Sequence, residues 1–298
     1  MILVTGGSGR LGTLLVQRLV ARGSAVRVLT RGRARTAHFD KMPVEIVEGD
    51  VRSAPDVERA VDGARVVVSA VHGFTGPRGV SPTSVDRDGN RRLVDAAARQ
   101  HATVILVSVV GAAPDSPMEL FRMKYAAEQH LRTSGAAWTI VRSTAFLETW
   151  IEVLAQTADR AGRVMVFGKG DNPINFVAVN DVARVVDRAI ADPDALGQTI
   201  EIGGPEDLTL SRLARAIQPA GPTASPRHVP RAALNAMSLL LRPFWPERAR
   251  QAAAALALDS MDLRFDPSAI RARYPDLALT SCAEILAGLR PGEGLGPL

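Results

Sequence analysis

The chain has little of two residue types that usually leave a clear signature. One of its 298 residues is a cysteine, Cys282, and aromatic residues make up 4%. A lone cysteine excludes an intrachain disulfide and a metal site built from several cysteines. It also favours a reducing compartment, so we expect a cytoplasmic protein. No stretch reaches the roughly 20 apolar residues that a membrane-spanning helix needs, so no membrane partner is expected.

Strong charge is also missing. The net charge is +5 and is spread along the chain. No basic run with interleaved aromatic residues occurs, so we expect no nucleic-acid partner. The apolar content of 46% is enough for a large core built mainly from Ala, Val, Leu and Ile. The modest positive charge is compatible with an anionic ligand such as a phosphorylated cofactor.

The first 31 residues carry the most specific pattern. A short apolar run at 2–4 is followed by Thr5-Gly6-Gly7-Ser8-Gly9-Arg10-Leu11-Gly12, then by apolar residues at helical spacing, and then by a second apolar run at 25–29. This order of strand, glycine turn, helix and strand is typical of dinucleotide binding. Glycine lets the backbone approach a pyrophosphate, which then lies at the positive end of the helix.

The rest of the chain predicts an α/β protein with a doubly wound parallel sheet. Strands are predicted at 44–47, 65–70, 103–109 and 137–141, and helices at 53–61, 88–100 and 118–134. Near-continuous apolar strands suit a parallel sheet covered on both faces. We expect a nucleotide-binding domain at 1–150. A smaller, mixed substrate lobe is expected at 151–298, contributing some elements back to the sheet.

The second half predicts shorter elements. Strands are expected at 164–167, 175–179 and 199–202, helices at 181–191 and 210–217, and a turn-rich connector at 219–226. Asn180 and Asp181 are interpreted as residues that satisfy free N–H groups at a helix start. Residues 231–258 are predicted to be largely helical, with interruptions at Pro243 and Pro246. The apolar cluster within that segment is compatible with a lid, a dimer contact or, most simply, core.

The end of the second strand indicates which cofactor is used. NAD-binding proteins often place Asp or Glu there, on the ribose 2′-hydroxyl. No acid occurs between Gly23 and Phe39, whereas Arg31, Arg33 and Arg35 do. A guanidinium matches a 2′-phosphate, so the sequence predicts NADP as the cofactor. The alternative is a solvated basic loop.

Several of these segments together resemble the atypical short-chain dehydrogenase/reductase superfamily, most closely its NmrA-like, NAD(P)H-binding branch. The resemblance covers about residues 1–217. It is carried by the glycine turn in its Gly6-x-x-Gly9-x-x-Gly12 register, by Val28–Arg31, by Glu48–Val51, by Lys124 with Glu128 and Ser134-Gly135, and by Val141–Phe146. It implies a Rossmann-like fold.

The resemblance also implies roles for individual residues. Besides Gly6, Gly9, Leu11 and Gly12 in the turn, it places Arg10 on the 2′-phosphate, Asp50 and Val51 against the adenine, and Phe146 beside the nicotinamide. Ala70, Val71 and His72, at the end of the fourth strand, are expected to line the cofactor groove. The alternatives are a turn or helix cap for Asp50 and core packing for Phe146. His72, a lone loop histidine, is given no acid or base role.

The catalytic residues are less clear. Typical short-chain dehydrogenases place a Tyr-x-x-x-Lys pair on one helix face and a serine at the end of strand five. Here Lys124 and Ser108 fit, but Leu120 stands where the tyrosine belongs. Tyr125 is adjacent to the lysine and so faces another direction. We expect Lys124 and Ser108 to be the polar groups nearest the hydride site; the alternative for Lys124 is a surface pair with Glu128.

The function predicted from these features is an NADP-dependent oxidoreductase acting on a small apolar carbonyl, quinone or enone. The alternative is a non-catalytic NADP(H)-binding redox sensor of the NmrA type, which the missing tyrosine favours. A sugar-nucleotide epimerase is a weaker possibility because epimerases of this group also depend on the tyrosine. The oligomeric state is not predicted.

Overall fold

The computed structural model describes residues 1–76, 79–159, 162–218 and 225–288. The chain forms two compact units. The first contains Met1–Ser143 and Val182–Glu201, and the second contains Thr144–Asp181 and the described residues from 202 to 288.

The strands are β1 (Ile2–Thr5), β2 (Val26–Thr30), β3 (Val44–Glu48), β4 (Val66–Ser69), β5 (Thr103–Val109), β6 (Trp138–Ser143), β7 (Ala145–Phe146), β8 (Met165–Phe167), β9 (Pro173–Val177), β10 (Thr199–Ile202), β11 (Asp207–Thr209) and β12 (Arg227–Val229). The helices are α1 (Arg10–Ala21), α2 (Ala54–Val61), α3 (Asp88–Arg99), α4 (Glu119–Thr133), α5 (Leu147–Ala155), α6 (Val179–Ala191), α7 (Leu210–Ile217), α8 (Arg231–Leu240), α9 (Pro246–Leu258), α10 (Ser268–Arg273) and α11 (Cys282–Gly288). A π-helical turn covers Pro82–Arg87.

A seven-stranded sheet organises the first unit, in the order β10-β6-β5-β4-β1-β2-β3. The pairs from β6 to β3 are parallel, with Val4 opposite both Val28 and Val68. The central strands are buried because helices cover the sheet, as their apolar runs predict. The predicted α/β, Rossmann-like, doubly wound fold is confirmed. The strand order reverses between β1 and β4, where open sheets of this kind bind their ligands.

The second unit contains two small sheets. One has the order β11-β9-β7 and the other pairs β12 with β8. Its core is formed by apolar side chains from α5, α7 and β9, including Leu154, Ile174, Phe176 and Leu213. The predicted interruption of the late helical segment is confirmed, and Pro246 occupies the first turn of α9, where its missing N–H is harmless. The predicted connector at 219–226 lies outside the described residues except for its last two.

The start of α6 differs from the expectation. The Val179 N–H donates to both carboxylate oxygens of Glu148 at 3.1 and 3.0 Å. Asp181 instead accepts hydrogen bonds from the backbone N–H and the hydroxyl of Thr280. The helix therefore begins two residues earlier than predicted, because a distant carboxylate supplies the cap.

The buried carboxylate of Glu128 connects helix α4 to strands β5 and β6. Glu128 on α4 is fully buried and accepts hydrogen bonds from Arg142 Nε and Nη2 at 2.9 and 2.6 Å. It also accepts one from the Ser108 hydroxyl at 2.5 Å and one from Arg132 at 3.2 Å. The hydrogen bonds from Arg142 to Glu128 are the main cause of a raised pKa at Arg142. The alternative of a surface pair between Lys124 and Glu128 is therefore wrong.

We predict that Glu128→Gln lowers the free energy of unfolding by roughly 3 kcal/mol. The amide keeps the volume of the side chain but removes the buried charge that pairs with Arg142, whose remaining charged partner is the more exposed Glu201 at 3.2 Å. Urea denaturation measures the loss. The matched control is Glu58→Gln, whose carboxylate faces Arg99 with 62% and 59% side-chain exposure. That change should cost less than about 0.5 kcal/mol. Equal stability of Glu128→Gln and the native chain would contradict this account.

Candidate functional site

The turn between β1 and α1 is shaped by two glycines that cannot carry a side chain. Gly6 has φ +77°, and a Cβ there would lie 2.5 Å from the Ala70 carbonyl oxygen. A Cβ on Gly12 would collide with the Gly6 carbonyl oxygen and the Gly7 Cα. The chain after β4 and the first turn of α1 therefore pack directly against the glycine turn. Both glycines are needed for this close approach.

Gly9 is different. Its φ of −89° suits any residue, and a Cβ there would meet one atom, the Gly6 oxygen, at 3.3 Å. This contact is tight but slight, so the fold constrains Gly9 less than it constrains Gly6 and Gly12. Gly9 is also the N-cap of α1 and provides no capping side chain, and the first turn contains no acidic residue. A helix start without these groups leaves its N–H groups available for an anion, which fits the pyrophosphate of a dinucleotide.

Leu11 and Val51 contribute apolar packing. Their exposures are 6% and 8%. Leu11 can therefore take part in anion binding through its backbone but not through its side chain. Val51 packs in the main core cluster of the first unit, next to Gly89.

The carboxylate of Asp50, just after β3, is held by a neighbour. It accepts hydrogen bonds from the Arg52 guanidinium at 2.8 and 3.0 Å and from the Arg52 N–H at 2.9 Å. The hydrogen bond from the Arg52 side chain is the main cause of a lowered pKa at Asp50, and the positive charge of Arg31 adds to it. Arg31, exposed just after β2, therefore lies within electrostatic reach of this carboxylate. A paired carboxylate retains acceptor capacity for a further ligand.

Lys124 is almost fully buried, at 4% exposure, and its ammonium contacts three protein groups. It donates to the Val71 carbonyl at 2.9 Å and to the Val107 carbonyl at 3.0 Å, and it lies 3.1 Å from an oxygen of Asp86. The other Asp86 oxygen accepts from the Gly73 N–H at 2.8 Å. We call this pair the Lys124–Asp86 clamp. It holds the peptide groups on both sides of His72.

These contacts limit how Lys124 and Ser108 can act. Two of the three N–H donors of Lys124 are used by the Val71 and Val107 carbonyls. Its contact with Asp86 is an ion pair, because the facing Asp86 oxygen is buried and accepts no hydrogen bond. The single donor of the Ser108 hydroxyl is directed at Glu128, which can only accept when ionised. The direct roles expected for both residues at the hydride site stay a prediction. The hydrogen bonds favour the positioning of neighbouring elements.

His72 lies in the loop after β4, where it was expected to line the cofactor groove without an acid or base role. Its side chain is solvent-accessible, yet protein atoms surround it closely enough that desolvation lowers the pKa of the imidazole. The charges of Lys124 and Arg31 act in the same direction, and the Asp86 carboxylate opposes them. No local sequence signal predicted this pKa shift, because it depends on groups from other elements. An imidazole with a lowered pKa is neutral at pH 7.

The remaining predicted site residues lie beside the glycine turn or in the second unit. Ala70 and Val71 are half-buried beside the glycine turn. Phe146 belongs to the second unit, where it is half-buried at the end of β7 opposite Val177. Its predicted place beside a nicotinamide stays a prediction.

Among the described residues, no helix has the length and apolarity needed to cross a membrane, and no group of three candidate metal ligands occurs.

Comparison with known proteins adds independent evidence. A family model described as NAD(P)H-binding matches residues 6–193, more than half of the chain. The NAD(P)H azoreductase of Xenophilus azovorans is 26% identical over 222 residues, which cover 74% of this chain and 73% of that protein.

Two solved structures share the fold. The NADPH-dependent quinone oxidoreductase of Escherichia coli, complexed with NADPH, has a TM-score of 0.77 at 19% identity and covers 98% of this chain and 100% of that one. The triphenylmethane reductase of Citrobacter sp., complexed with NADP(H), has a TM-score of 0.78 at 18% identity and covers 96% and 99%. The chain belongs to the NAD(P)H-binding family, in the NmrA-like branch of the atypical short-chain dehydrogenase/reductase superfamily.

Proposed function

We propose that this protein binds NADP(H) in preference to NAD(H) and reduces a small, conjugated, electron-poor acceptor. The observation that carries the cofactor part is the end of β2, where Arg31 is exposed and no acid stands between Gly23 and Phe39. A carboxylate there would repel a 2′-phosphate, whereas a guanidinium pairs with it. The two related solved structures also contain NADPH or NADP(H).

The proposed cofactor site uses the residues around the glycine turn. Gly6, Gly9, Gly12 and the backbone of Leu11 hold the pyrophosphate, and Arg10 and Arg31 hold the 2′-phosphate. The adenine lies against Asp50 and Val51, the groove is lined by Ala70 and Val71, and Phe146 lies beside the nicotinamide. The second unit supplies the substrate lobe, which we expect to include most of residues 151–298.

The proposed substrate class follows from the polar side chains whose hydrogen-bond donors are already used by the protein itself. A bound nicotinamide supplies the hydride. A simple ketone would also need a proton donor for the oxygen that gains charge. The usual tyrosine is replaced by Leu120. The donor of Ser108 and two of the three donors of Lys124 are directed at protein groups. Quinones and enones need less help because conjugation spreads the charge that the hydride brings.

The related proteins support this class of acceptor. The azoreductase, the quinone oxidoreductase and the triphenylmethane reductase described above are named for azo compounds, quinones and triphenylmethane dyes, which are conjugated molecules. The second candidate function is a non-catalytic NADP(H) sensor. The observation that favours it is the same replacement of the tyrosine by Leu120.

For the cofactor, we predict that Arg31→Asp weakens NADPH binding at least tenfold and leaves NADH binding within about threefold. A charged hydrogen bond contributes roughly 1.5–3 kcal/mol, which corresponds to a factor of ten or more. Isothermal titration calorimetry with both cofactors measures the change.

Arg99→Asp is the matched charge reversal for this test. Arg99 ends α3, a helix that returns towards the amino edge of the sheet, so its charge should affect neither cofactor. Equal affinity of the native chain for NADPH and NADH would overturn the proposed preference.

For the reaction, we predict turnover of quinones and enones with NADPH and little turnover of aliphatic ketones. Tyr125→Phe should change kcat/KM by less than about threefold, because Tyr125 is rotated by about 100° from Lys124 around the helix. Lys124→Met should lower kcat/KM at least tenfold, because the clamp that positions residues 71–73 is lost. Circular dichroism checks that each variant is folded.

Two results would change the assignment. If every acceptor is inert while NADPH binds tightly, the sensor replaces the reductase. If Tyr125→Phe abolishes turnover and Lys124→Met does not, the proposed role of the Lys124–Asp86 clamp is incorrect.

A further inference from the structure

Exposed apolar side chains are concentrated in one short segment of the second unit. In the described part of the chain, seven large apolar side chains are exposed, and five of them fall between residues 237 and 245. We call these five the apolar patch: Met237, Leu239, Leu240, Phe244 and Trp245. Leu240 and Phe244 are 71% and 74% exposed. Scattered exposed apolar residues are ordinary, but such a cluster marks an interaction surface.

The helix that carries the patch is attached by its other face. Leu234 and Ser238, one turn apart, are the residues of α8 that are buried. Phe244 and Trp245 follow in the connection to α9, and their rings lie 6.2 Å apart. The apolar patch is thus held outward by a segment that is anchored to its own unit.

The charges around the patch are mostly positive. Arg242 and Arg248 are both exposed. The Arg248 guanidinium lies 5.8 Å from the centre of the Trp245 ring. Arg242 Nε donates to the Ser238 carbonyl at 3.0 Å, which holds that side chain beside the patch. Glu247 is the one acidic residue between positions 231 and 250.

We propose that the apolar patch binds the surface of an anionic phospholipid bilayer. Leucine, phenylalanine and tryptophan side chains enter the boundary between headgroups and acyl chains, while arginines pair with anionic headgroups. In the parts of the chain that the structure describes, no helix is long and apolar enough to cross a bilayer. Binding to a bilayer surface needs no such helix. This proposal is independent of the proposed cofactor and substrate.

A second copy of the chain fits the patch less well. A twofold contact through the patch would bring Arg242 and Arg248 of both copies together, which like charges disfavour. The area is also small. An aromatic side chain presents about 150–250 Å², so the exposed fractions of the five side chains amount to roughly 500 Å². A stable interface buries about 800 Å² per partner.

The test is co-sedimentation of the full chain with vesicles. Vesicles made of equal parts phosphatidylcholine and phosphatidylglycerol should bind the native chain, and pure phosphatidylcholine should bind it at least tenfold more weakly. Leu240→Gln with Phe244→Gln should lower binding to the mixed vesicles at least tenfold. Arg242→Gln with Arg248→Gln should do the same, since each cation near an anionic surface contributes about fivefold.

Met165→Gln with Leu196→Gln is the matched control. These two apolar residues are also exposed but lie outside the patch, so binding should stay within about twofold of the native value. Thermal unfolding confirms that all variants are folded. The proposal is overturned if the native chain does not bind the mixed vesicles, or if the control loses as much binding as the patch variants. A dimer that dissociates in Leu240→Gln with Phe244→Gln, without vesicle binding, assigns the patch to a second copy.

Discussion

The first unit depends on one buried ammonium group. Lys124 joins the backbone that follows β4, the end of β5 and the π-helical turn that carries Asp86. Removing both charges from water is costly, and the two carbonyl bonds together with the Gly73 N–H bond offset that cost. Because the glycine turn packs directly on Ala70, this clamp also determines where the β1–α1 turn can lie.

The same interaction shapes the chemistry that the site can perform. A lysine that gives two donors to backbone carbonyls and pairs its charge with a buried carboxylate holds a loop in place more readily than it protonates a substrate. Ser108 is in a comparable position, because Glu128 accepts its hydroxyl. We therefore propose that these two polar groups support the scaffold and do not assist carbonyl reduction. On this proposal, acceptors that need little help from an acid suit the site best.

Local patterns predicted the sheet, most helix boundaries and the glycine turn, because each depends on residues that are close in sequence. The partners of Lys124 and Glu128 could not be predicted in this way. Helical spacing suggested that these two residues pair with each other, whereas Asp86 and Arg142, which come from other elements, pair with them instead. Long-range partners of buried charges depend on how elements pack, and a single sequence carries no direct signal of that packing.

Amide hydrogen exchange at Gly73 tests the role of the clamp most directly. The Gly73 N–H is bonded to Asp86, which faces Lys124. In Lys124→Met, the account predicts at least tenfold faster exchange at Gly73, because Asp86 loses its charged partner and the loop opens locally. Exchange at Ile46 in the distant strand β3 should not change. Unchanged protection of Gly73 in a folded Lys124→Met variant would contradict the account.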